Sequence, residues 1–119
     1  MNFLRRQLIC ERLKLKTRQS YRIVGSSRSG LISSDEVLRI LNQSRRGIQE
    51  PFSFIPSDIA TVEEIAADID GLTAGKLRAW THRTKNIPPH FRLNGHTIRY
   101  SRSLFIAWLA KNSKVVRRS

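Results

Sequence analysis

The chain has 119 residues, 39% of them hydrophobic, and a formal net charge of +13, which suits one compact domain with a modest core rather than a large enzyme. Its one cysteine, Cys10, excludes an intramolecular disulfide, and its three histidines, His82, His90 and His96, lack cysteine partners and a metal-ligand spacing, so no metal or cofactor is expected. Arginines interrupt the apolar residues of the first 16 positions, which argues against a signal peptide or membrane span and for a cytoplasmic protein.

The charge is unevenly placed. Residues 1–30 hold eight Lys/Arg against one acid, residues 31–73 three against eight, and residues 74–119 eleven against none. With no acidic side chain after Asp70, whatever surface the C-terminal part exposes is positive and suits a polyanion. A surface built only for solubility would mix both signs, so a nucleic acid is the expected partner.

Taken in chain order, residues 2–16 are predicted to form a basic helix, with Leu4 and Leu8, then Ile9 and Leu13, at i, i+4 spacing. The Ser-, Arg- and Gly-rich run 17–30 reads as a loop or arm. Ser33 and Glu36 form a capping-box pattern ahead of Val37, Ile40 and Leu41, predicting a short helix. A connector follows with Pro51 and Pro56, whose Phe52, Phe54 and Ile55 are expected to pack on a neighbouring element. Thr61 and Glu64 repeat the capping box, and Val62, Ile65, Ala66 and Ile69 mark the clearest helix. Gly71 then supplies a turn and Thr73 caps a second helix to about Arg83, which makes a helix-turn-helix.

Pro88 and Pro89 close that unit. Asn94-Gly95 accepts the positive φ values of a type I′ turn and predicts a hairpin over Arg92–Tyr100. Phe91, Leu93, Ile98 and Tyr100 are assigned to its packed side, and Arg92 and Arg99 to the side facing a partner. Ser101 or Ser103 is expected to cap a last helix carrying Leu104, Phe105, Trp108 and Leu109. The expected organisation is therefore a basic arm with an accessory helical segment (1–57), a DNA-binding domain (58–112) and a basic tail (113–119).

On a helical wheel Leu77, Trp80 and Thr84 share one face of the second helix, the core side, with Ile65 and Ile69 opposite. Gly75, Arg78, Ala79 and His82 share the other. Gly75 and Ala79 are too small to hold the backbone off a surface, while Arg78 and His82 reach base edges, so these four are the candidate base contacts in a major groove. Thr73, Lys76, Arg83, Lys85, Arg92, Asn94, His96, Arg99 and Arg102 are the candidate phosphate or minor-groove contacts.

The order of Glu64-Ile65, Gly71-Leu72-Thr73, Leu77, Trp80, Pro88, Arg92-Leu93, Asn94-Gly95, Ile98-Arg99-Tyr100 and Ala107-Trp108-Leu109 resembles the excisionase-like winged helix-turn-helix family. That family includes AlpA-type phage regulators and is related to the DNA-binding half of MerR proteins. The resemblance covers about residues 58–112 and implies a mainly α fold with a small β-hairpin wing. The second helix would enter the major groove, and the wing, through Arg92 and Arg99, would hold the adjacent backbone or minor groove. Ala74-Gly75-Lys76 stands where such proteins carry a more polar run, which implies few base contacts. Glu36-Val37 loosely mirrors Glu64-Ile65, but no recognition helix follows it, so a degenerate repeat is the lesser reading; the helix it opens is expected to pack on the winged domain or meet a protein partner.

No Ser/His/acid order, paired catalytic carboxylates or phosphate loop is present, so no enzyme is expected; the resemblance implies a protein of a bacterial mobile element, an excisionase that binds repeated double-stranded DNA sites cooperatively and bends them to assist a tyrosine recombinase. A small transcriptional regulator on the same fold is the alternative, and an RNA-binding basic protein ranks third.

Overall fold

The computed structural model describes residues 2–25 and 28–112; the basic tail expected at 113–119 lies outside them. The fold is mixed α/β, with six helices and two small antiparallel sheets among the described residues.

The N-terminal segment is more broken than its spacing predicts. β1 (Phe3–Arg5) pairs antiparallel with β2 (Leu31–Ser33) before α1 (Arg6–Arg12) begins. α1 ends at a left-handed turn on Lys14, φ 59°. The predicted loop is instead α2 (Thr17–Ile23), opened by Lys16 N–H donating to Gln19 Oε1 at 2.8 Å. Its Ser and Arg content reads as loop, but Ile23 and the following Val24 face an apolar core, and tertiary burial outweighs weak local propensity.

α3 (Ser34–Ser44) starts as expected, with Ser33 Oγ accepting from Glu36 N–H at 3.1 Å, and buries Val37 and Leu41. β3 (Arg45–Arg46) follows. In the connector Phe52 packs on Phe91 with ring centroids 5.2 Å apart, whereas Phe54 is 73% exposed. β4 (Ile59–Ala60) leads to α4 (Val62–Asp68), where Thr61 and Glu64 close a reciprocal capping box. Gly71, at φ 80°, turns the chain in a conformation costly for a side chain, and Thr73 Oγ1 accepts from Lys76 N–H at 3.1 Å to open α5 (Ala74–Thr81).

The hairpin, β5 (His90–Leu93) and β6 (Thr97–Ser101), is the inner pair of a four-stranded sheet ordered β3-β5-β6-β4. Asn94 and Gly95 take φ 52° and 77° as a type I′ turn requires, and His96 N–H donates to Leu93 O at 3.1 Å. His96 is an extra loop residue, so Leu93 pairs with Thr97 and Phe91 with Arg99. That one-residue offset moves every β6 side chain to the opposite face from the one predicted.

Phe91 and Leu93 therefore pack with Ile9, Leu13, Val37 and Leu41, while Ile98 and Tyr100 pack with Ile65, Leu77 and Phe105. The hairpin separates two cores. Its last residue adjoins α6 (Arg102–Asn112), whose first turn is held by Asp58 rather than by serine alone: Ser103 N–H donates to Asp58 Oδ2 at 2.8 Å and the Ser101 hydroxyl to Asp58 Oδ1 at 2.9 Å. Burial works to raise the Asp58 pKa, but the donors from Ser103 and Ser101 outweigh it and hold the carboxyl below its usual value.

Candidate nucleic-acid interface

α5 is oriented by Leu77 and Thr81, both buried; Thr81 Oγ1 lies 2.7 Å from the Tyr100 hydroxyl. Thr81 takes the core position assigned to Thr84, which is exposed beyond the end of the helix. Trp80 is half-buried and packs on Trp108, centroids 5.9 Å apart. The opposite face, with Gly75, Lys76, Arg78, Ala79 and His82, is open to solvent.

Between this face and the hairpin lies a cleft of about 550 Å³. Five predicted contacts line it together: Arg78 and His82 from the α5 side, and Arg92, His96 and Arg99 from the hairpin. Glu63 is also in the cleft and pairs with Arg78 at 2.5 Å. Arg92 is half-buried; its Nη2 is 3.5 Å from His90 Nε2 and its buried Nε finds no acceptor among the described residues. The cleft thus holds an arginine with no carboxylate partner among those residues.

Arg99 differs from its expected role. The register turns it toward α1, where its Nε donates to Leu13 O at 2.9 Å and its Nη2 to Lys14 O at 2.6 Å. Burial lowers its pKa, and Glu63 and Glu64 oppose that shift. It clasps the turn between α1 and α2 to the hairpin.

The other predicted contacts are dispersed. Thr73 commits its hydroxyl to capping, and the Arg83 guanidinium lies 5.6 Å from the centre of the Trp80 ring. Lys76, Lys85 and Asn94 are exposed. Gly75 is open: apart from its chain neighbours and the backbone of its own helix, nothing lies within 4 Å of where a Cβ would stand. Arg102 bonds Asp68 at 2.9 Å and lines a separate groove with Asp58 and Phe105.

A second concavity, about 140 Å³, adjoins the first at the hairpin tip and is lined by Arg18, Gln19, Arg22 and Ile23 with Asn94, His96 and Thr97. Gln19, His96 and Thr97 line both, and Gln19 Nε2 donates to Thr97 Oγ1 at 3.4 Å. Reading 17–30 as a loop hid Arg18 and Arg22; their i, i+4 spacing was the available signal.

Among the described residues no group of three His, Cys, Asp or Glu side chains is placed to hold a metal ion, and no helix is long and apolar enough to cross a membrane. Known protein families, characterised proteins and solved structures offer no match to the chain.

Proposed function

We propose that the protein binds double-stranded DNA through α5 and the adjoining hairpin, used as a winged helix-turn-helix. The observation that carries this reading is the cleft where Arg78, His82, Arg92 and His96 converge from two elements. Such a cleft focuses positive potential on a phosphate backbone while α5 lies in the neighbouring groove. The absence of acids after Asp70 supports it, because no carboxylate from the hairpin or α6 opposes the anion.

Within that reading the protein is an architectural factor of a mobile element, an excisionase that binds repeated sites cooperatively and bends them for a tyrosine recombinase. The open Gly75 and Ala79 side of α5 limits base readout, which favours several protein copies on adjacent sites. A transcriptional regulator on the same fold would bind without the bend, and a circular-permutation gel shift separates the two.

The first test is affinity for duplex DNA as salt is raised. Neutralising about five phosphates predicts a slope of log K against log salt near −4 to −5. A slope shallower than about −2, or equal or tighter binding to duplex RNA, refutes the proposal.

A further inference from the structure

The first half of the chain repeats the second, element by element. In each, a short strand leads into a seven-residue helix (α1, α4), then a helix of seven or eight residues (α2, α5), then a strand that pairs back on the first and runs straight into an eleven-residue helix (α3, α6). The strand registers coincide: Phe3 pairs with Ser33 and Leu4 with Ile32, as Ile59 pairs with Ser101 and Ala60 with Tyr100. So does a hydrogen bond outside the ladders. Ser34 N–H donates to Asn2 O at 2.7 Å where Arg102 N–H donates to Asp58 O at 3.0 Å.

The turns agree as well. Lys14, at φ 59°, precedes the α2 N-cap Lys16 by two residues, as Gly71, at φ 80°, precedes the α5 N-cap Thr73. Ile9 and Ile65, Val24 and Thr81, and Val37 and Phe105 are buried at matching positions. The units differ where the second inserts β5 before β6. α3 thus corresponds to α6, and the Glu36-Val37 echo of Glu64-Ile65 falls at the wrong place in the unit.

We infer that the chain carries two helix-turn-helix units in tandem and that α2 is a second helix that contacts double-stranded DNA, a statement that rests on the DNA-binding reading above. Aligning the N-caps puts Arg18, Tyr21 and Arg22 of α2 where α5 has Gly75, Arg78 and Ala79. Long cationic side chains thus stand where α5 is small. All three are exposed, Tyr21 by 64%, neither arginine is in an ion pair among the described residues, and α2 has no acid. Charge complementarity therefore selects a polyanion for this face. The concavities beside α2 and α5 meet at the hairpin tip, so one duplex is held by both.

The test uses the full chain and a duplex selected by it from a random pool. Arg18→Ala/Arg22→Ala is expected to bind that duplex at least tenfold more weakly, with a salt slope shallower by about 2 and a footprint shortened at one end. Arg39→Ala/Lys111→Ala, which removes equal charge from α3 and α6, is expected to keep the wild-type footprint. Unchanged affinity and footprint in the α2 variant, equal loss in the charge control, or weaker binding over a footprint of full length would each overturn the tandem assignment. Wild-type protein that retains no duplex even at low salt would instead sink the DNA-binding reading itself.

Discussion

His90 shows how a single side chain reports the packing of its surroundings. Its ring is fully buried beside Tyr100, and Nδ1 donates to Pro88 O at 2.9 Å, which leaves Nε2 unprotonated toward Arg92. Burial lowers its pKa; the bond to Pro88 pulls the other way, and the charges of Arg92, Arg46 and His82 add to the lowering. A histidine lowered in the folded state takes up protons less readily than in the unfolded chain. Its stabilising contribution is complete above the unfolded value, about 6.5, and is lost as pH falls below it toward the folded value. Thermal stability should therefore decline from pH 7.5 to pH 5, above the range where the carboxylates titrate. His90→Asn, which keeps a donor for Pro88, should flatten that decline. An equally steep profile in the variant would assign the acid sensitivity to another group.

At the scale of elements, the hairpin determines which arginines are free. With a two-residue loop Arg99 would share a face with Arg92 and both would point to a partner; the extra His96 sends Arg99 to the first core and leaves Arg92 in the cleft. Arg99 and Arg78 should consequently fail in different ways. Arg99→Ala removes two charge-assisted bonds that fasten the α1–α2 turn to β6, and should cost about 2 kcal/mol of unfolding free energy in urea. Among the described residues Arg78 pairs with exposed Glu63 alone, so Arg78→Ala should change stability by less than about 0.5 kcal/mol. It should instead lose about 1–3 kcal/mol of binding on the preferred DNA site. A fully stable Arg99→Ala protein would contradict the clasp.

The described residues form two cores divided by one hairpin, and this bears on whether the half proposed to bind DNA stands alone. Phe91 and Leu93, both completely buried, lie in a cluster otherwise built from Ile9, Leu13, Val24, Ile32, Val37, Leu41 and Ile59. Removing residues 1–57 would expose both side chains, at about 1.5–3 kcal/mol each, and would delete β3 from the sheet edge. A domain of this size has a total stability of roughly 5–15 kcal/mol, and a fragment of it has less in reserve. The fragment 58–119 should show no cooperative thermal transition by circular dichroism and should bind DNA more weakly than the full chain. A cooperative melt near that of the full chain would show the second core to be self-sufficient.

Much of the second half was legible from the residues alone. Thr61, Glu64, Thr73, Asn94 and Gly95 act through hydrogen bonds or backbone conformations within a few positions, so local chemistry determines the caps and the turn wherever the segment sits. The charge distribution is likewise a property of the chain itself. What only the tertiary structure decided depends on partners distant in sequence. α2 is a helix because Val24 and Ile23 have a core to enter, α6 is capped by an aspartate more than forty residues away, and Arg99 is committed because one loop residue sets the register of β6. The tandem relation between the halves is written in strand register and turn geometry rather than in matching letters, because packing constrains side-chain size and direction more tightly than identity.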